Sequence, residues 1–300
     1  MNRQILIIIG FVIVINFQSF GQSFNKQFTD LVAKKDTSAQ IKLLKNWEVK
    51  NNNDPELYIA YFNYYINKSM DEVLSLDIRQ RGKDSLEIRD IDSKTDGHQN
   101  SKIMNGGKYL YHGFEYLDKG ISKFPSRLDM RFSKILMLEK IKDYKNFTHE
   151  IVKTIDDSEI VKNKWLWTDN KPVDEPKKFM LNAIQNWIVQ LYNTNDAALR
   201  NNMKLISETV LKYYPDHVES LSNLSVVYLL KYDYDKALEV LLKAEKFAPQ
   251  DHIVLSNIAQ AYKLKGDNQN AIKYYKLTIQ YGDDKTKEFA KGQIQKLNSK

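Results

Sequence analysis

The sequence predicts an all-α protein built as a solenoid of stacked helical pairs, and three observations lead to that prediction. Residues 218–251 and 252–284 align on each other with an offset of 34 residues. Apolar residues recur at spacings of three and four along most of the chain, as in amphipathic helices. Glycine and proline number only 11 and 6, which leaves few sites for tight turns. Stacked helical pairs account for all three.

The offset of 34 brings similar residues together throughout the two segments. The matched pairs are Leu221 with Leu255, Asn223 with Asn257, Leu224 with Ile258, Tyr228 with Tyr262, Ala237 with Ala271, and Leu241 with Tyr275. This period, with small and aromatic residues at these offsets, resembles the tetratricopeptide repeat, a helix–turn–helix unit. The resemblance implies a right-handed superhelix whose concave groove is lined by the first helix of each repeat.

The resemblance also assigns candidate binding residues to that groove. They are Ser222, Asn223, Val226 and Leu230 in one repeat, and Ser256, Asn257, Gln260, Lys263 and Leu264 in the next. In relatives that bind a C-terminal carboxylate, Asn and Lys side chains in the groove contact that carboxylate. Asn223 and Asn257 match those asparagines, but Ser222 and Ser256 stand where basic residues would help. A less specific protein or peptide groove is therefore favoured over a carboxylate clamp.

Residues 1–21 predict a signal peptide and thus an exported protein, either periplasmic or secreted. With this signal and its Tyr/Asn/Lys-rich helices, the whole chain resembles exported bacterial repeat proteins. Residues 5–15 form an apolar run that suits a signal core and is too short to cross a bilayer about 30 Å thick. Ser19 and Gly21 are small residues suited to a cleavage site, so the mature chain is expected to start at Gln22. The alternative is a retained anchor or a buried helix. No later segment is a transmembrane candidate.

The chain up to residue 155 predicts helices around one interruption. Residues 22–70 predict N-terminal helices, the last of which starts at Asp54-Pro55-Glu56 with an Asp cap and Pro in the first turn. Its tyrosines favour packing between neighbouring helices over a ligand surface. Residues 71–106 alternate apolar and polar residues and predict an irregular or β-hairpin-like insert. Residues 107–155 predict degenerate repeat helices, with Phe147 where the clear repeats have alanine.

The rest of the chain predicts a loop, three repeats and a cap. The predicted elements are a Trp/Pro loop over 156–178, a degenerate repeat over 179–217, the clear repeats over 218–251 and 252–284, and a capping helix over 285–300. Phe289 and Ile294 are expected to face inward from the last helix. These elements predict one continuous solenoid split by two inserts, because Pro125 and Pro215 are 90 residues apart and thus out of phase with the period.

Trp165 and Trp167 form a candidate recognition loop. Side chains alternate in an extended segment, so two tryptophans one residue apart point to opposite sides. One of them is then exposed as a binding anchor, in keeping with the frequency of tryptophan at binding hot spots. Alternatively the loop folds back over the helices and buries both, which is the favoured interpretation.

No motif in the sequence predicts catalysis, a metal or a cofactor. The absence of cysteine excludes disulfides and thiolate chemistry. No two of the five histidines are spaced i, i+4, and no G-x-S-x-G or phosphate-loop motif occurs. The net charge of +7 is spread along the helices, unlike the clustered charge of nucleic-acid binders.

The sequence thus predicts an exported, non-enzymatic scaffold that binds a protein or peptide partner. One alternative is an enzyme or carbohydrate-binding accessory protein, with its site in residues 71–106 or in the Trp165–Trp167 loop. Another is a structural module that positions a larger envelope assembly.

Overall fold

The computed structural model of this protein describes residues 18–81 and 107–299, with side chains described for residues 23–69 and 107–299. These residues form thirteen α-helices and one two-stranded sheet, which confirms the all-α prediction. The chain divides into two compact units, residues 1–124 and 125–300. Every helix in the described ranges is too short or too polar to qualify as a membrane span.

The first unit contains four described helices. They are α1 (Gln18–Ala33), α2 (Thr37–Lys50), α3 (Pro55–Arg81) and α4 (Gly107–Lys123). Asp36 separates α2 from α1 and caps α2 by accepting a hydrogen bond from Ala39 N at 2.9 Å. Phe24 of α1 stacks on the buried Trp47 of α2 with ring centroids 5.5 Å apart.

Asp54 fixes the start of α3, as the sequence predicted. One carboxylate oxygen accepts from Glu56 N at 3.1 Å, and the other accepts from Trp47 Nε1 at 3.1 Å. The same side chain therefore caps α3 and satisfies a buried indole N–H of α2.

The prediction of a strand-like insert starting at residue 71 is wrong over residues 71–81, which continue α3 to Arg81. Extending a formed helix adds a hydrogen bond per residue without a new nucleation cost. No glycine or proline interrupts the helix before Gly82. The rest of the predicted insert, residues 82–106, lies outside the described residues.

Tyrosines of α3 pack against α4, as the packing interpretation of this helix predicted. Tyr61 is buried and stacks on Tyr116 with ring centroids 3.9 Å apart. Gly113 lets the two helices approach closely, because a Cβ at this position would lie 3.3 Å from the Phe62 ring.

The second unit begins with α5 (Leu128–Lys140) and α6 (Tyr144–Ile160), and Asp143 caps the start of α6. Further helices follow. They are α7 (Pro176–Asn193), α8 (Arg200–Tyr213), α9 (Val218–Leu230), α10 (Tyr234–Phe247), α11 (His252–Lys265), α12 (Asn268–Tyr281) and α13 (Asp284–Asn298). From α8 onward each helix packs on the next, and α9 also contacts α11, which is the pattern of stacked helical pairs.

Small residues allow the pairs to pack closely. Ala237 of α10 and Ala271 of α12, which are 34 residues apart, are both fully buried. One core runs through α9 to α13 and includes Leu241, Leu255 and Tyr275. Four of the six matched pairs are therefore buried, whereas the Asn223/Asn257 and Tyr228/Tyr262 pairs are half-buried.

The predicted Trp/Pro loop is shorter than its predicted range of 156–178. Helix α6 continues to Ile160 and α7 begins at Pro176. Between them, β1 (Leu166–Trp167) pairs antiparallel with β2 (Lys171–Pro172). A hydrogen bond to a residue outside α6 stabilises the last turn of this helix, because Ser158 Oγ lies 2.7 Å from Tyr214 OH.

The inward orientation predicted for Phe289 on α13 is wrong. Its side chain is 48% exposed, and Ala290 is the buried residue of this helix. Ile294 is half-buried and packs against the core. The Phe289 ring makes an edge contact with Tyr275 of α12, with ring centroids 6.3 Å apart, and keeps about half of its surface exposed.

Candidate functional site

The predicted groove residues lie on one face of α9 and α11. Most of them are half-buried, and Leu264 is 42% exposed. Fully buried residues such as Leu221 and Leu255 occupy the opposite face of the same helices. The face of α9 and α11 that the resemblance assigned to the groove is therefore partly accessible.

Hydrogen bonds connect this face of α9 and α11 to two further helices, α7 and α13. The Gln185 and Asn223 amides bond each other, with Nδ2 of Asn223 2.5 Å from Oε1 of Gln185 and the reverse bond at 3.3 Å. Asn257 Nδ2 donates to Ser222 Oγ at 2.9 Å. We use the name amide row for the six residues that form these contacts, which are Gln185, Asn223, Ser222, Asn257, Lys263 and Gln293.

Lys263 and Gln293 extend the amide row from α11 to α13. Lys263 Nζ donates to Gln293 Oε1 at 2.7 Å. The row therefore links α7, α9, α11 and α13 by one polar contact at each junction. Contacts of this kind hold long side chains in defined positions before a ligand arrives, which lowers the entropic cost of binding.

The amide row keeps hydrogen-bonding capacity for a ligand. Asn257 Oδ1 accepts no hydrogen bond within the described residues, and the Asn223 amide has a second N–H. Gln260 lies beside the row, and its Oε1 accepts from Tyr275 OH at 2.9 Å, which leaves its NH₂ group available. Burial raises the pKa of Tyr275 to about 12, so this phenol remains a neutral donor at physiological pH.

The chemistry of the amide row is mainly neutral. Side-chain amides carry a donor and an acceptor, as a peptide group does, so they can bond an extended backbone. Lys263 is the one cation of the row, and its ammonium already donates to Gln293. The row lacks the cluster of basic side chains that a carboxylate clamp needs.

The 34-residue period did not predict Gln185 and Gln293 as site residues. Gln185 lies in the degenerate repeat and Gln293 in the helix predicted only to cap the solenoid. A search for amide side chains on the half-buried faces of α7 and α13 would have suggested both, but their partners are 38 and 30 residues away and no fixed spacing relates them.

Trp165 and Trp167 occupy different environments. Trp165 is 1% exposed, and the Arg131 guanidinium lies 5.6 Å from its ring centroid. Trp167 is half-buried and makes edge contacts with Phe132 and Phe179. Of the two tryptophans only Trp167 retains accessible surface, so a recognition role for Trp167 stays a prediction.

Buried ion pairs hold the Trp loop against α5. Arg127 makes a bidentate contact with Asp129 at 2.9 and 2.7 Å and donates to Asn170 of the loop at 3.4 Å. Arg131 Nη1 lies 2.8 Å from Asp157 Oδ2 as an ion pair. Burial lowers the pKa of Arg131, and the Asp157 carboxylate partly offsets this effect. These groups are engaged with each other and serve to hold the loop.

A cavity of about 330 Å³ lies at the end of the unit where α7, α9 and α11 begin. Its wall includes Lys177, Tyr214, Asp216, His217 and Asp251. No group of three or more His, Asp or Glu side chains within the described ranges could hold a metal ion.

Comparison with known proteins identifies the helical pair formed by α11 and α12. Residues 254–280 match the tetratricopeptide repeat family model. The chain carries a tetratricopeptide repeat. This match confirms the resemblance inferred from the 34-residue period, in the second of the two clear repeats. Among curated proteins, no sequence match to this chain is found.

Several solved structures are similar to this chain. A tetratricopeptide repeat protein from Parabacteroides merdae ATCC 43184 is 13% identical over 94% of this chain and 100% of that one, with a TM-score of 0.35. The TPR2AB domain of yeast Sti1, in complex with pHSP90, is 12% identical over 93% and 97%, with a TM-score of 0.34. MamA from Desulfovibrio magneticus RS-1 is 12% identical over 87% and 94%, with a TM-score of 0.29.

Proposed function

We propose that this protein is a non-enzymatic tetratricopeptide repeat scaffold that binds a protein or peptide partner along the amide row. The observation that carries this proposal is the set of hydrogen bonds that links α7, α9, α11 and α13 through Gln185, Asn223, Ser222, Asn257, Lys263 and Gln293. A row of neutral donors and acceptors on a half-buried face suits an extended peptide backbone better than a charged small molecule.

The proposal includes export from the cell. The apolar run at residues 5–15 and the small residues Ser19 and Gly21 support a cleaved signal peptide. Expression of the full chain in a bacterium, followed by intact-mass measurement of the periplasmic and culture fractions, tests this. A mass that corresponds to a chain starting at Gln22 is expected. Recovery of only full-length protein in the membrane fraction would favour the retained anchor.

Binding is tested with a displayed library of random peptides selected on the mature wild-type protein. Each enriched peptide is then titrated against wild type and the variant Asn223→Ala/Asn257→Ala. A net hydrogen bond contributes about 0.5–1.5 kcal/mol, so two lost bonds should raise the dissociation constant about 5- to 150-fold. N-methylation of the peptide backbone should weaken binding comparably, because it removes backbone donors.

The matched control removes two amides from another face. Gln269 and Gln280 are exposed on α12, so Gln269→Ala/Gln280→Ala should leave the dissociation constant unchanged. Equal affinity of wild type and the Asn223/Asn257 variant would rule out the amide row as the binding surface. Tolerance of backbone N-methylation would rule out recognition through peptide groups.

A further inference from the structure

The first helices of the two clear repeats begin with different capping residues at equivalent positions. His217 is the N-cap of α9, and its Nδ1 accepts from Ser220 N at 3.3 Å and lies 2.9 Å from Ser220 Oγ. Asp251, 34 residues later, is the N-cap of α11 and accepts from Ile253 N at 2.8 Å and Val254 N at 3.2 Å. At the N-cap of its first helix, the first clear repeat therefore has an imidazole where the second has a carboxylate.

The two capping groups respond differently to pH. A carboxylate remains ionised, and so remains an acceptor, throughout the neutral range. An imidazole nitrogen accepts only while it is unprotonated, and histidine titrates near pH 6.5. In the described part of the chain, every other α-helix whose N-cap side chain accepts a hydrogen bond has aspartate there: Asp36, Asp54, Asp143, Asp233, Asp251, Asp267 and Asp283.

We propose that His217 is a pH-sensitive cap whose protonation removes the Nδ1 acceptor and loosens the first turn of α9. Ser222 and Asn223 of the amide row lie on the next turn, so loosening would disturb the bonds to Asn257 and Gln185. This consequence for partner binding rests on the proposed function, whereas the titration of the cap does not.

Burial favours the neutral form of His217 and outweighs the nearby carboxylates, which act in the opposite direction. Glu219 of α9 has an Oε2 3.3 Å from Nε2, and Asp216 precedes the cap; both carboxylates raise the pKa of His217. Burial, the largest effect, and Lys177 of α7 lower it, and the net direction is downward. Asp251 lines the cavity at the start of α7, α9 and α11 together with His217, and its carboxylate accepts hydrogen bonds from the first turn of α11. The positive end of the α9 dipole also disfavours an imidazolium.

The lowered pKa sets the direction of the pH effect. Between the folded pKa and about 6.5, the unfolded chain binds the proton and the folded chain does not. The stabilisation by neutral His217 is therefore fully present above about pH 6.5 and is lost as the pH falls below that value.

The proposal is tested on the free mature protein by NMR. Imidazole resonances are titrated from pH 8 to pH 4.5, and the His217 signal is assigned by its absence in His217→Asn. Its pKa should lie below 6.5. Over the same range the amide protection factor of Ser220 should fall about 2- to 30-fold, the loss that corresponds to a removed cap. In His217→Asn the protection factor should stay constant, because asparagine caps helices and does not titrate.

A control variant distinguishes the effect of protonating His217 from the effect of protonating another histidine. His149 is exposed within α6 and caps no helix, so His149→Asn should keep the wild-type pH dependence of Ser220. If His217→Asn fails to fold, His217→Asp, which copies the next repeat, takes its place. A His217 pKa at or above 6.5, or a capped variant with unchanged pH dependence, would overturn the proposal. Because no peptide is present, this failure is distinct from failure of peptide binding.

Discussion

Gln185 and Asn223 exchange two side-chain hydrogen bonds and so join α7 to α9, at the junction between the degenerate repeat and the first clear repeat. The pair contributes to both packing and the proposed binding face. Its energetic role can be measured separately from any ligand.

We expect Gln185→Ala and Asn223→Ala to be non-additive. Each single change removes both hydrogen bonds, so the double-mutant cycle should give a coupling of about 1 kcal/mol, consistent with a half-buried pair. Urea unfolding of the wild type and three variants measures it. A cycle between Asn223→Ala and Gln269→Ala, on an exposed face of α12, should give a coupling near zero. Equal couplings in the two cycles would show that the amide pair adds nothing to stability.

Asp157→Asn should destabilise the second unit by about 3 kcal/mol. The change leaves the guanidinium of Arg131, which is 2% exposed, without its ion-pair partner in the interior. Glu288→Gln is the matched control, because Glu288 pairs with Lys291 on the surface of α13 and should change stability by less than about 1 kcal/mol. Chemical denaturation of both variants tests this, and similar small effects would contradict it.

Phe147 and Ala271 should not be interchangeable, although both occupy the same position of the helical pair in sequence. Phe147 is fully buried with its ring against Trp187, so Phe147→Ala should cost about 3–5 kcal/mol. Ala271→Phe should cost at least about 1–3 kcal/mol through overpacking. Phe247→Ala, at the exposed end of α10, is the control and should cost less than about 1 kcal/mol. Thermal unfolding with matched buffers gives all three values.

Stability should fall as the pH rises above about 10, in part because of Tyr275. Burial raises its pKa to about 12, so the folded state holds a proton that the unfolded chain releases near pH 10. Its contribution is present below pH 10 and is lost as the pH rises through about 12. Urea unfolding of wild type and Tyr275→Phe between pH 9 and pH 12 tests this. The variant should lose less stability over that interval, and parallel curves would refute the assignment.

The sequence was most informative where the repeat is regular. Leu221 and Leu255, or Ala237 and Ala271, predicted core positions because each repeat must bury the same face against its neighbours. Asp54 predicted a helix start, because a capping carboxylate acts on backbone N–H groups only a few residues away. These features depend on local spacing, which the sequence contains directly.

The candidate site was only partly predictable. Asn223 and Asn257 were placed on the correct face by the repeat, but their partners Gln185 and Ser222 come from neighbouring first helices. The position of Trp165 was likewise settled by Arg131, on a helix more than thirty residues earlier in the chain. Such pairs are fixed by how helices stack rather than by spacing along the chain.

The sequence by itself determined the helical repeat, its period and most helix ends, because these follow from apolar periodicity and short-range capping. Only the tertiary structure decided that neighbouring helices share a hydrogen-bonded amide row, that Phe289 remains half-exposed, and that Trp165 is buried. The physical reason is that each of these outcomes depends on which side chains meet across a helix interface. That choice is made by close packing of the whole unit.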